Sequence, residues 1–291
     1  MRIHNHLPTL IDCLSRWERP PGRAEFAGRY HAPMAHLFED AFGNADEMHA
    51  LVGDVDWKSY RAEALKLDPV REEERVRRHL ADVERLFGFP LEGEIVLFGA
   101  FESMDGYARF DRGTHRVFLG VDESHGRGRY MDILEVHELT HVARESRPQP
   151  WLGWGLDPKM DHDGFTRHQH AIEHLFGEGF SCAVSELLVP GEDPWHYAYQ
   201  ETEADLAKVL RYGASVDEVI HSALREGPDA DWGMFYSPDS YRPRLPVFCH
   251  YVWAWKWAGH LIRDLGGGDP ARIVDICSME WVEDALAFRL T

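Results

Sequence analysis

The sequence predicts an α+β protein, mainly helical, with one small mixed or antiparallel sheet. Apolar residues recur at helical spacing over residues 70–87 and again after residue 130. Between them, residues 94–121 hold three short runs rich in β-branched and aromatic side chains, the composition of strands. The chain has 291 residues, 44% hydrophobic and 12% aromatic, enough to bury a sizeable core in one large domain or two modest ones. The expected organisation is an N-terminal helical region over residues 1–90 and a second domain over residues 91–291, which can also form one continuous unit.

The first 90 residues read as mostly helical. Their clearest helix is Val70 to Phe87, where Val76, Leu80, Val83 and Phe87 line one apolar face. Pro69 suits its first turn, and Gly88 with Pro90 suits its stop. The charged face (Arg71, Glu72, Glu73, Glu74, Arg77, Arg78) reads as solvated. Glu94 to Phe101 is a buried strand by composition. Gly106 to Phe110 and His115 to Val121 flank the turn-like Asp111-Arg112-Gly113-Thr114 and predict a hairpin. A helix follows from Tyr130 to Glu145, then a loop from Ser146 to Phe165 and a second helix from His168 to Val189, stopped by Pro190-Gly191. The remainder is helical around a loop at Tyr236 to Pro246. It holds a long aromatic helix from Val247 to Leu265, a short one from Pro270 to Cys277 and a last one from Trp281 to Phe288.

The 31 basic and 50 acidic side chains give a formal charge of −19. Nucleic acid and anionic membranes both select basic surfaces, so neither is an expected partner. The most apolar stretch, Val247 to Ile262, is interrupted by His250, Lys256 and His260, whereas a membrane span needs about 20 apolar residues. Met1 to Trp17 lacks the apolar run of a signal peptide. Cys13, Cys182, Cys249 and Cys277 are scattered, with no CxxC. The expectation is a cytoplasmic protein with reduced cysteines.

One motif carries chemistry. Val136-His137-Glu138-Leu139-Thr140-His141-Val142 is an HExxH on a predicted helix. Residues i and i+4 lie on one helical face, so the imidazoles of His137 and His141 can reach the same metal ion. Glu138 lies about 100° further round, placed to act as general base on a metal-activated water. Glu135, two residues before the first histidine, is an unusual charge at that position. A catalytic zinc takes three protein ligands, so a third must come from elsewhere. Arg144 and Arg147 occupy the positions where an HExxHxxGxxH pattern has Gly and His. Glu178, 37 residues after His141 and flanked by Gly177 and Gly179, is the leading candidate. Two glycines inside a helix, each costing about 1 kcal/mol, suggest a close approach, here to the HExxH helix. His174, which shares a face with His170 and Glu178, is a rival ligand, as are Glu186 and the aspartates of the preceding loop.

His137-Glu138-Leu139-Thr140-His141-Val142-Ala143-Arg144 together with Glu178-Gly179-Phe180 resembles the gluzincin metallopeptidases. More narrowly, it resembles a bacterial family of predicted zinc-dependent proteases with an EGLA-type helix after the HExxH. The aromatic run Tyr251 to Gly259 loosely echoes that family's last helix, and the likeness spans roughly residues 94 to 289. The resemblance implies a zincin-like core, a Zn2+ cofactor held by His137, His141 and Glu178, and Glu138 as base. It also implies a downstream Tyr or His that stabilises the oxyanion. Tyr251 is the first candidate for that role, with His250, Tyr241 and Tyr236 beside it and core packing as the alternative for Tyr251 itself.

The activity expected is hydrolysis of a peptide or small protein substrate, the substrate adding as an extra strand along an exposed sheet edge, His115 to Val121. The alternatives are a zinc-dependent hydrolase of a small-molecule amide or ester, or a non-catalytic binding module of zincin fold. Arg144 either pairs with a carboxylate that orients a ligand or sits at the helix end for its dipole. Trp151 and Trp154 either rim the cleft or anchor their loop. Asp161-His162-Asp163-Gly164 reads as a turn rather than a calcium loop.

Overall fold

The computed structural model describes residues 1–124, 129–227, 230, 233–236, 245–246 and 248–290. The protein is mainly helical with one small mixed sheet, an α+β architecture. Its contacts divide into two compact units, residues 1–81 with 92–135 and residues 82–91 with 136–291. Most of the loop expected at 236–246 lies outside the described residues, as does Tyr241.

The first unit is built on four strands, β1 (Arg2–Asn5), β2 (Glu94–Phe98), β3 (Gly106–Asp111) and β4 (Thr114–Gly120), in the order β1-β2-β4-β3. β1, β2 and β4 are parallel, and β3 runs antiparallel to β4. The hairpin forms as expected, turning through Arg112 and Gly113, both at positive φ, which matches the twist of the strands. Residues 1–90 are mostly helical, as expected, with one addition: β1 joins the sheet, where Asn5 pairs with Leu97 and His6 N–H donates to the Leu97 carbonyl. One expectation changes. The strand at His115 to Val121 is not an edge. It is paired on both sides, so β1 and β3 are the edges.

Helix α1 (Leu7–Arg16) buries Leu7, Leu10 and Leu14. A core of rings forms around Phe26, Tyr30, Phe38, Phe98 and Phe101. β2 stops at Phe98 because the chain then turns through Phe101 and Glu102, both at positive φ. The buried Asp122 carboxylate accepts the N–H groups of Ala100 and Phe101 and the Tyr60 hydroxyl. Helix α2 (Pro69–Phe87) has the predicted bounds, but its charged face is not all solvated. Glu72 is buried against Arg75, and Arg75 with His79 faces the fully buried Glu135. His79 also reaches Asp132. The unusual Glu135 is therefore a paired interior carboxylate.

Helix α3 (Tyr130–Glu145) carries the HExxH and has the predicted bounds. The expected loop at 146–165 holds two short helices, α4 (Pro148–Gly153) and α5 (His162–His168). Pro148 starts the first, and the Asp161 carboxylate caps the second by accepting Gly164 N–H. In the second unit, α6 (Ala171–Leu188) lies against α8 (Cys249–Asp264) and α7 (Gly213–Glu226). Phe176, Phe180, Trp253 and Trp257 are fully buried, as core packing of the aromatic helix requires. Trp253, Trp255 and Trp257 each donate an indole N–H to a carboxylate, of Asp217, Glu186 and Asp284. The chain ends in α9 (Val282–Ala287), while the expected helix from Pro270 is a single turn, Pro270–Arg272. No helix among the described residues is long and apolar enough to cross a membrane. All four cysteines are buried and unpaired.

Candidate metal centre

Helix α3 is buried nearly all round from Ile133 to Arg144, as a helix in the middle of a core must be. His137 and His141 stand one turn apart, with Nε2 atoms 3.1 Å from each other. On α6, Glu178 brings Oε2 to 3.2 Å from His137 Nε2 and 3.5 Å from His141 Nε2. Among the described residues, these three form the group of His, Cys, Asp or Glu whose donor atoms all lie within 4.8 Å of one another. The triangle fits a metal ion. Ligands about 2.0–2.1 Å from a tetrahedral zinc are about 3.3–3.4 Å apart, and the separations here, 3.1, 3.2 and 3.5 Å, bracket that spacing. Two imidazoles and one carboxylate are also the donor types of catalytic zinc.

The three groups divide charge unevenly among themselves. Burial pushes His137 down to about 4, against its hydrogen bond to Glu178, so this ring is neutral near pH 7. Burial also acts to lower His141, but Glu178 outweighs it and raises that ring to about 9, Glu138 adding to the effect. Burial opposes a charged Glu178, yet His141 and the hydrogen bond from His137 hold its carboxyl well below the usual range.

The supports come from the same helices. Cys182 lies one turn after Glu178, and its Sγ is 3.9 Å from His137 Nδ1, so α6 meets both nitrogens of that ring. Arg144 pairs with the buried Glu173 through two hydrogen bonds of 3.0 and 2.9 Å. It also donates to the carbonyls of Val274 and Ile276 and lies over the Phe176 ring. This arginine ties α3 to α6 close to the ligands. The glycine pair acts differently from expectation. A Cβ on Gly179 would lie 2.1 Å from the Ala254 carbonyl oxygen, so this glycine admits α8 rather than α3. A Cβ on Gly177 would meet the His141 ring at 3.7 Å, an ordinary contact.

The rival ligands fall outside the triangle. His174 places Nδ1 3.9 Å from Glu178 Oε1, while its Nε2 is 3.1 Å from the Tyr236 hydroxyl. Burial pushes His174 down to about 4. Glu186 is exposed and accepts from Trp255, and Asp161 is occupied as a helix cap. Trp151 is buried and donates to the Glu145 carbonyl, and Trp154 donates to Ser278 and stacks on His170. Both are anchors of their segment.

Glu138 is 7% exposed on the ligand helix. The Tyr251 ring lies 6.4 Å from the His137 ring. Burial, with Glu178 nearby, raises its phenol well above the ordinary tyrosine value, so it keeps its proton. His250 is fully buried, its ring 5.8 Å from that of His174. Tyr199 was not apparent from the sequence: its ring lies 4.8 Å from His137 and 5.2 Å from Tyr251. No local pattern marks it, because it arrives on the segment after the short helix Pro194–Tyr197 with φ of +52°. Compared with protein-family models, curated proteins and solved structures, the chain gives no match.

Proposed function

We propose that this protein is a zinc-dependent hydrolase of zincin-like core that cleaves peptide bonds. One observation carries the reading: His137, His141 and Glu178 converge at the ligand spacing of tetrahedral zinc, with Glu138 beside them on the same helix. A zinc ion bound there supplies Lewis acidity and lowers the pKa of water towards neutrality. Glu138 accepts the proton released by the attacking water at its carboxylate and delivers it to the leaving nitrogen. Tyr251, protonated and close to His137, donates to the negative charge developing on the substrate oxygen. Cys182 faces Nδ1 of His137, the nitrogen left free when Nε2 serves as the ligand atom.

The alternative substrate is a small-molecule amide or ester, favoured by burial: His137 is 3% and Glu138 7% exposed. The deciding experiment exposes a mixed peptide library and a panel of small amides and esters to the zinc-loaded wild type and to Glu138→Gln. The expected outcome is peptide cleavage by the wild type and a loss of at least about 100-fold in the variant, with zinc retained by both. Cleavage confined to small amides or esters selects the alternative. No cleavage of any substrate by zinc-loaded wild type removes the hydrolase reading.

A further inference from the structure

Two large aromatic residues beside the candidate metal centre are partly exposed. Tyr236 is 39% and Phe248 37% exposed, and their rings meet edge to face at 6.0 Å. Both connect inward. The Phe248 ring lies 5.9 Å from Tyr251, and Tyr251 lies 6.4 Å from His137. The Tyr236 hydroxyl is 3.1 Å from Nε2 of His174, whose other nitrogen faces Glu178.

The backbone at this place is strained. Phe248 has φ of +57° and Tyr199 +52°, in the left-handed region that bulky residues rarely adopt. Such strain persists only where the surroundings impose it, and it gathers at ligand clamps. The buried Gln200 links the two positions, its side-chain amide donating to the carbonyls of Phe248 and of Ala198, the residue before Tyr199.

We propose that Phe248 and Tyr236 form a preorganised subsite for a large apolar or aromatic side chain of the substrate, next to the scissile bond. The assignment rests on the hydrolase reading for the identity of the substrate. The rings offer flat apolar surface and edge-to-face geometry, which favour an aromatic or branched apolar group over a small one.

The test titrates the zinc-loaded chain with phenylalanine hydroxamate and with glycine hydroxamate, and records thermal midpoints. Wild type is expected to bind the phenylalanine compound about tenfold more tightly. Phe248→Gly removes the ring while giving that φ the residue that tolerates it. The variant is expected to stay folded, the relief of φ offsetting part of the lost ring contacts, and to bring the two affinities within about threefold of each other. Equal binding of the two compounds by wild type, or an undiminished preference in Phe248→Gly, overturns the subsite. Peptide cleavage without the preference overturns the subsite alone. The preference without cleavage of any substrate supports the subsite and overturns the hydrolase reading.

Discussion

At the scale of single residues, the side chains around the centre are held by specific partners. Arg144 and Glu173 form a buried pair, with Arg144 2% and Glu173 5% exposed. Removing one partner leaves an uncompensated charge in the interior, so Arg144→Met is expected to destabilise the protein by about 3–5 kcal/mol in denaturant unfolding. An effect under about 1 kcal/mol would mean that Glu173 finds water or another partner. Gly179 and Gly177 separate two kinds of helical glycine. Gly179→Ala would drive a Cβ into the Ala254 carbonyl and is expected to cost about 1–3 kcal/mol. Gly177→Ala meets only an ordinary contact and is expected to be neutral or stabilising by up to about 1 kcal/mol. Equal effects in thermal melts would contradict the close approach of α6 and α8.

At the scale of elements, what the sequence reveals is what local physics fixes. The bounds of α2 and α3 were legible because proline, glycine and apolar spacing act within a few residues. The grouping of His137 with His141 was legible because one helical turn carries both, and that of Glu178 with them because two glycines flanked it. Partnerships set by tertiary folding were not legible. β1 has only four residues and becomes a strand because β2 accepts it. β4 lies inside the sheet because β2 pairs with it in parallel, which no local pattern announces. Gly179 marked a close approach, but only the fold names Ala254 as its object. Tyr199 and the pairing of Arg144 with Glu173 join segments far apart in the chain.

At the scale of the whole molecule, charge is the lever. The chain carries −19, yet it concentrates buried charge in the cluster of Arg75, His79, Asp132 and Glu135. Burial disfavours the His79 cation, but its bonds to Asp132 and Glu135 outweigh this and hold it above 6.5. A histidine raised on folding contributes most below its unfolded value and loses that contribution as pH rises through the folded one. Burial works against the Asp132 anion, but His79 beside it holds that carboxyl below its usual value. Its contribution is thus kept above the ordinary aspartate range and lost only as pH falls through the lowered value. The difference in thermal midpoint between wild type and His79→Gln is therefore expected to be largest between roughly pH 5 and 6.5 and to shrink above that. A difference independent of pH would show that His79 is neutral in the fold. The centre itself is tested most directly by X-ray absorption at the zinc edge on stoichiometrically loaded protein, beside a zinc titration of His141→Ala. The expected result is one tightly held zinc with two imidazoles and a carboxylate among its ligands, no sulfur, and a large loss of affinity in the variant. A sulfur ligand, or zinc held equally well without His141, would contradict a centre made by His137, His141 and Glu178.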